Sequence, residues 1–138
     1  MSFVRKERGQ GLVEFVIIFM VLLLVVFGVF DLGRVFHAMI TIANASREGA
    51  RYLSLHPNDN DDDFAGTKDA AISETQGSMI SLEADQVQVP LCIDSDAISG
   101  CDSGYPVRVQ VSYPFEFMLG WFPSASITLS QATEMIVP

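Results

Sequence analysis

Basic residues are scarce in this chain of 138 residues, which has 8 Lys and Arg against 17 Asp and Glu and a formal net charge of −9. Residues 1–9 hold three of the basic residues and one acidic residue, so removing that segment would leave −11. Nucleic-acid binding needs a basic surface that neutralises phosphates. The composition therefore excludes a nucleic-acid-binding protein, and anionic lipid would repel everything beyond the first residues.

Catalytic motifs are also missing from the sequence. It has no Gly-x-Ser-x-Gly elbow, no phosphate-binding loop and no His-Glu-x-x-His motif. Its two histidines, His37 and His56, fall on or just after the predicted first helix, and no serine has a base nearby in sequence. We therefore expect no enzyme, no cofactor and no small-molecule substrate, and a tethered hydrolase is the weakest of three hypotheses.

Cysteine is limited to Cys92 and Cys101. In an extracytoplasmic domain such a pair predicts a disulfide, which in the chain-entropy model would contribute about 2.5–3 kcal/mol for so short a loop. Two reduced thiols in a core are the alternative. A metal site is not expected, because no histidine and no second cysteine pair lies near.

A long apolar run follows the basic residues. From Leu12 to Phe30 only Glu14 and Gly28 are not large and apolar. Such a run spans about 28 Å as a helix, which is close to the thickness of a bilayer core. It is too long for a secretory signal and lacks a small-x-small cleavage site. We predict a membrane span over residues 12–30, with the N-terminus cytoplasmic and the remainder outside.

Glu14 needs an explanation, since a carboxylate costs about 2.5–3.5 kcal/mol at the centre of a membrane helix and less near its end. Gly9, Gln10 and Glu14 have the spacing of a class III signal that is cut after Gly9. The amine exposed at Gln10 of a neighbouring subunit would then pair with Glu14, next to Phe15. The alternative is a carboxylate that reaches water at the interface.

The helix is predicted to continue past the membrane, because a stripe of apolar and small residues recurs at alternating spacings of 3 and 4. The stripe comprises Leu32, Val35, Met39, Ile42, Ser46, Gly49 and Leu53, and it extends back through Gly28 to Glu14. The opposite polar face comprises Arg34, His37, Thr41, Asn44, Glu48 and Arg51. One helix over residues 10–55 follows, which Pro57 would end. The stripe is expected to pack on the chain's own domain and, on a different face, between subunits.

Residues 56–138 predict a small extracytoplasmic α+β domain. Asp59, Asp61 and Asp63 suggest calcium, but Phe64 and Ala70 occupy the glycine and glutamate positions of an EF-hand, so a solvated turn whose acids cap the next helix is preferred. A short helix over 62–80 and strands over 87–91, 107–113 and 126–136 are expected, with Pro114 ending the second strand. The aromatic stretch 115–122, with Trp121, predicts core packing or a subunit contact.

Three blocks resemble the TadE-like pseudopilins, or minor pilins, of the tight-adherence (Flp) type IV pilus system: residues 9–15, 31–36 and 45–52. The resemblance implies cleavage by a prepilin peptidase between Gly9 and Gln10 and residence in the cytoplasmic membrane. It also implies a structural role in starting, priming or capping a pilus, with other pilins or pseudopilins and the assembly platform as partners. The helical stripe permits a homo-oligomer as readily as a mixed bundle.

The expected architecture is therefore pilin-like: a leader over 1–9, a long transmembrane helix, and a short helix against a three-stranded antiparallel sheet. The competing hypothesis is a membrane-anchored extracytoplasmic binding module that is never cleaved and joins no filament.

Overall fold

The longest element of the described chain is one helix, α1. The computed structural model describes residues 7–57, 63–89, 103–118 and 126–138. Helix α1 spans Glu7–Leu55, 49 residues, or about 73 Å. The long N-terminal helix is thus confirmed, and it begins inside the predicted leader. It ends just before Pro57, and His56 closes the last turn by donating its N–H to the Tyr52 carbonyl at 3.0 Å.

The second helix, α2, is shorter than predicted and spans Ala65–Ser73. It starts late because Asp63 and Phe64 both have positive φ, which reverses the chain before it. Asp63 does not cap α2, because its carboxylate pairs with Lys68. The helix ends early because the Thr75 N–H and hydroxyl both bond the Ile72 carbonyl, at 3.0 and 2.8 Å, which tightens the chain into a turn.

The three-stranded antiparallel sheet is confirmed. After a 3-10 turn at Ala84–Gln86 come β1 (Val87–Gln88), β2 (Pro106–Glu116) and β3 (Ser126–Ile136). The strand order is β1-β2-β3, and β2 pairs with β3 over its whole length, from Pro106 opposite Ile136 to Glu116 opposite Ser126. The predicted first strand ran to Leu91, but Pro90 and Leu91 lie outside the described residues.

The prediction that Pro114 ends its strand is wrong. Strand β2 runs through Pro114, which pairs with Thr128 of β3. On the other side, the register of β1 places Ala84 opposite Pro114, and Ala84 belongs to the 3-10 turn rather than to a strand. A proline lacks the N–H that would donate to a neighbouring strand. Because a 3-10 turn and not a strand lies opposite Pro114 on this side, the loss is tolerated here.

The core lies between α1 and the sheet. Its buried apolar residues include Ala38, Ile42, Ala45, Ala50 and Leu53 from α1, and Val107, Val109, Val111 and Phe115 from β2. The prediction that Thr41 lies on the polar face is wrong. Thr41 belongs to the buried face, because only 8% of it is exposed. Its hydroxyl donates to the His37 carbonyl at 3.0 Å, which satisfies the polar group inside the core.

The tightest approach between elements is at Gly49. A Cβ added there would lie 3.2 Å from Val109 Cγ1 and 3.3 Å from the Ala71 Cβ, so α1 meets both β2 and α2 at this point. By contrast, a Cβ added at Gly33 of the same helix would meet nothing within 4 Å. The glycine at position 49 is therefore required by packing, and the one at position 33 is not required by the fold of one chain.

Gly49→Leu is expected to lower the free energy of unfolding by about 1–3 kcal/mol, because the larger side chain overpacks the crossing. Gly33→Leu is the matched control and should leave stability unchanged or slightly raised, since leucine favours helix. Urea unfolding of the full chain in detergent micelles, followed by near-UV circular dichroism, measures both. Equal midpoints for the two variants would contradict this account of the core.

Candidate functional site

The first half of α1 is exposed along its whole length. Every residue from Gly9 to Phe30 is exposed, and none of the apolar window of this helix is buried by the rest of the described chain. The helix is long and apolar enough to cross a membrane. A core helix of a soluble protein would be covered, whereas this surface of leucine, valine and phenylalanine side chains is not. The arrangement suggests a membrane anchor.

The residues predicted for cleavage and pairing lie at the start of this exposed segment. Gly9 and Gln10 are exposed on a continuous helix, and Gln10 and Glu14 line one shallow depression together with Ile17. Among the described side chains, none forms an ion pair with Glu14. Phe15 stacks on Phe19 with ring centroids 5.8 Å apart. One helical turn therefore holds Gln10 and Glu14 together, on a surface open to another molecule.

Four glycines of α1 have no neighbours that would exclude a side chain. They are Gly9, Gly11, Gly28 and Gly33, and a Cβ added to any of them would meet nothing within 4 Å. A glycine inside a helix costs about 1 kcal/mol relative to alanine. The fold of a single chain gives no reason for these four residues, whereas close approach of a second helix would.

The residues predicted for helix packing divide into two groups. Gly28, Leu32 and Met39 are exposed. The residues buried against the chain's own domain are Ile42, Ser46, Gly49 and Leu53. Between the end of the apolar run and Ile42, Ala38 faces the core and Met39 does not. Packing of the exposed group between subunits stays a prediction.

Ser46 ties α1 to the far strand of the sheet. Its hydroxyl donates to the Ala43 carbonyl at 2.9 Å and lies 2.8 Å from Thr133 Oγ1. A serine hydroxyl has only one proton, so Thr133 is the donor in the second bond. Ser46 is 1% exposed, and this bond satisfies it in the core.

The junction between the exposed half of α1 and the domain is built on Asp31, which sequence analysis did not single out. Asp31 is buried, and its carboxylate accepts from Arg34 Nη1 at 2.9 Å and from the Met118 N–H at 3.1 and 3.2 Å. The Arg34 guanidinium also lies 5.0 Å from the Phe115 ring centroid. The available sequence signal was an acidic residue directly after the apolar run, three positions before an arginine.

A second ion pair on α1 lies in solvent and gives a useful contrast. Arg51 Nε donates to Glu48 Oε2 at 2.9 Å. This hydrogen bond lowers the pKa of Glu48 below its ordinary value. The contribution of the pair to stability is therefore fully present above the ordinary pKa of a glutamate. It is lost as the pH falls through the lowered pKa. As an exposed pair it is expected to contribute little.

Several predicted features fall outside the described residues. These are the pair Cys92 and Cys101, the acidic residues Asp59 and Asp61, and Trp121 with Phe122. Within the described ranges, no group of three His, Cys, Asp or Glu side chains could hold a metal ion.

The fold and its exposed helix define a class of protein: a small α+β domain carried on a candidate membrane anchor. Residues 9–51 match the family model described as TadE-like protein. This confirms the resemblance over the first two sequence blocks and most of the third. Comparison with curated proteins and with solved structures found no match to the chain. The match over these residues suggests a protein associated with the tight-adherence pilus, for which a membrane and pilins are the suggested partners.

Asp31→Ala is expected to lower the free energy of unfolding by about 1–3 kcal/mol, because the Met118 N–H and Arg34 both lose their acceptor. The more specific effect is faster amide hydrogen exchange at Met118. Glu48→Ala, which removes the exposed pair on the same helix, should change neither quantity noticeably. Unchanged protection of the Met118 amide in Asp31→Ala would show that the carboxylate does not hold this segment.

Proposed function

We propose that this chain is a pseudopilin, or minor pilin, that is cut between Gly9 and Gln10 by a prepilin peptidase. The mature helix then packs among the helices of other pilins as a structural component of pilus assembly. The observation that carries the proposal is the complete exposure of the apolar half of α1, with Glu14 inside it. An apolar helix that the described residues leave uncovered favours a membrane, and a carboxylate within it favours a partner.

The new amino terminus of a neighbouring subunit is the partner proposed for Glu14. Cleavage would create a positive charge at Gln10, one helical turn from Glu14 on the same surface. Two mature helices offset along their axes would bring the amine of one subunit to the carboxylate of another. Such a pair offsets the cost of each charge in a low-dielectric region, and each uncompensated charge would be costly there. Phe15, next to the carboxylate, would help to shield the pair from water.

Helix packing between subunits is supported by the glycines that the monomer does not need. Gly28 lies within the predicted span and Gly33 follows it, and an added Cβ meets nothing at either position. Small residues let membrane helices approach closely. We infer that partner helices contact α1 near these glycines, and that exposed Leu32 and Met39 extend the same contact beyond the membrane.

The location that follows is the cytoplasmic membrane. The basic residues Arg5, Lys6 and Arg8 would keep the leader in the cytoplasm, and the domain would stand on the outer side. A prepilin peptidase in the membrane would then meet the Gly9–Gln10 bond at the cytoplasmic boundary.

Cleavage is tested by the intact mass of the protein purified from its native membrane. We expect a chain that begins at Gln10, and the same measurement reports a disulfide as the loss of two hydrogens at Cys92 and Cys101. Gly9→Leu should retain residues 1–9, because a large side chain would block the scissile bond. It should still fold, because no described residue crowds Gly9.

Gly33→Leu is the matched control, and it should be cut normally because it is far from the scissile bond. A wild-type chain that keeps residues 1–9 in cells with an active prepilin peptidase would contradict the processing proposal. The protein would then be an anchored extracytoplasmic module.

Glu14→Ala tests assembly separately from anchoring. The variant should still enter the membrane, but its crosslinking to other pilins should fall to background because the amine has lost its carboxylate. Glu48→Ala removes a carboxylate from the same helix outside the span and should crosslink like the wild type. Normal crosslinking of Glu14→Ala would exclude the pairing role.

A further inference from the structure

Strand β2 runs back along α1 toward the membrane end of the helix. Val109 contacts the helix at Gly49, and the Met118 N–H bonds to the carboxylate of Asp31. The path from Val109 to Met118 along an extended chain is about 30 Å, and the path from Gly49 to Asp31 along the helix is about 27 Å. Because the two lengths nearly agree, the strand lies alongside the helix, and Met118 lies at the level of Asp31.

That level is the end of the apolar run. Asp31 directly follows Phe30, the last residue of the run. Glu116 pairs with Ser126, so the β2–β3 connection both leaves and re-enters the sheet at this level. The Asp31 carboxylate is satisfied by Arg34 and the Met118 N–H, and so it is suited to a position beside hydrocarbon.

At this end of the hairpin, Met118 and Ile127 expose apolar side chains beside the exposed Glu116 and Ser126. Met118 is 64% exposed and Ile127 is 40% exposed, while Phe30 and Leu32 flank Asp31 on the helix and are also exposed. The described apolar side chains at this end of the hairpin are therefore level with the end of the apolar run.

We propose that the end of the domain at Met118 and Ile127 is a second membrane contact, seated in the outer interfacial layer of the bilayer beside the exit of α1. The proposal rests on the membrane span of the proposed function. The interfacial layer accepts aromatic and flexible apolar side chains, and neutral lipid is sufficient because the contact is apolar. Asp31 acts as the positioning residue, because it holds Met118 level with the end of the span.

Fluorescence quenching by brominated lipid tests this contact. The chain has one tryptophan, so Trp121→Phe gives a dark background. Single tryptophans are introduced into this variant at three positions. They are Met118→Trp at the hairpin end, Ile136→Trp at the exposed opposite end of the sheet, and Val21→Trp at the middle of the span. Each full chain is reconstituted in phosphatidylcholine vesicles that carry bromines either near the headgroup or deep in the acyl chains.

We expect the emission of Met118→Trp to be blue-shifted and to be quenched by shallow bromines. The emission of Val21→Trp should be quenched by deep bromines, and that of Ile136→Trp by neither. Asp31→Ala should weaken quenching at position 118 but not at position 21, whereas Asp31→Asn, which keeps an acceptor for the Met118 N–H, should restore it.

Met118→Trp emission equal to that of Ile136→Trp, with Val21→Trp quenched, would overturn the second contact and leave the span intact. Absent quenching at Val21→Trp would overturn both the span and this proposal. A blue shift of Met118→Trp without quenching, lost when the protein is diluted in lipid, would assign the surface to a second copy of the chain instead.

Discussion

The rest of the structure depends on the contact between the small residues of α1 and the valine face of β2. Gly49 leaves room for Val109 to approach the helix backbone, and Ser46, three residues earlier, binds Thr133 of the next strand. Because α1 is continuous from the apolar run to this contact, no linker separates the candidate anchor from the domain. The orientation of the sheet is therefore set directly by the orientation of the helix.

Two carboxylates on α1 occupy contrasting environments, and the contrast supports the functional proposal. Asp31 is buried and accepts hydrogen bonds from Arg34 and Met118 of its own chain. Glu14 is exposed within the apolar run and has no ion-pair partner among the described side chains. The first charge is compensated by folding. In the proposed function the second is compensated by a partner outside the chain, so the contrast favours assembly over anchoring alone.

Sequence patterns predicted the elements well where one physical effect dominated. The apolar run and the absence of proline before Pro57 were sufficient for α1, and strict alternation was sufficient for the part of β2 before Pro114. The errors arose where a neighbour decided the outcome. Pro114 stayed in its strand because a 3-10 turn lies opposite it, and Thr41 lies on the face of α1 that the domain covers, where its hydroxyl is satisfied by the helix backbone.

By itself the sequence determined the long helix, most of β2 and β3 and the candidate span, because these depend on local order and hydrophobicity, and the class III signal at Gly9 to Glu14 stays a prediction. Only the tertiary structure decided which face of α1 is covered, why Gly49 differs from Gly28, and that Asp31 binds Met118. Those properties join residues far apart in the chain, and periodicity on one element carries no information about where another element ends.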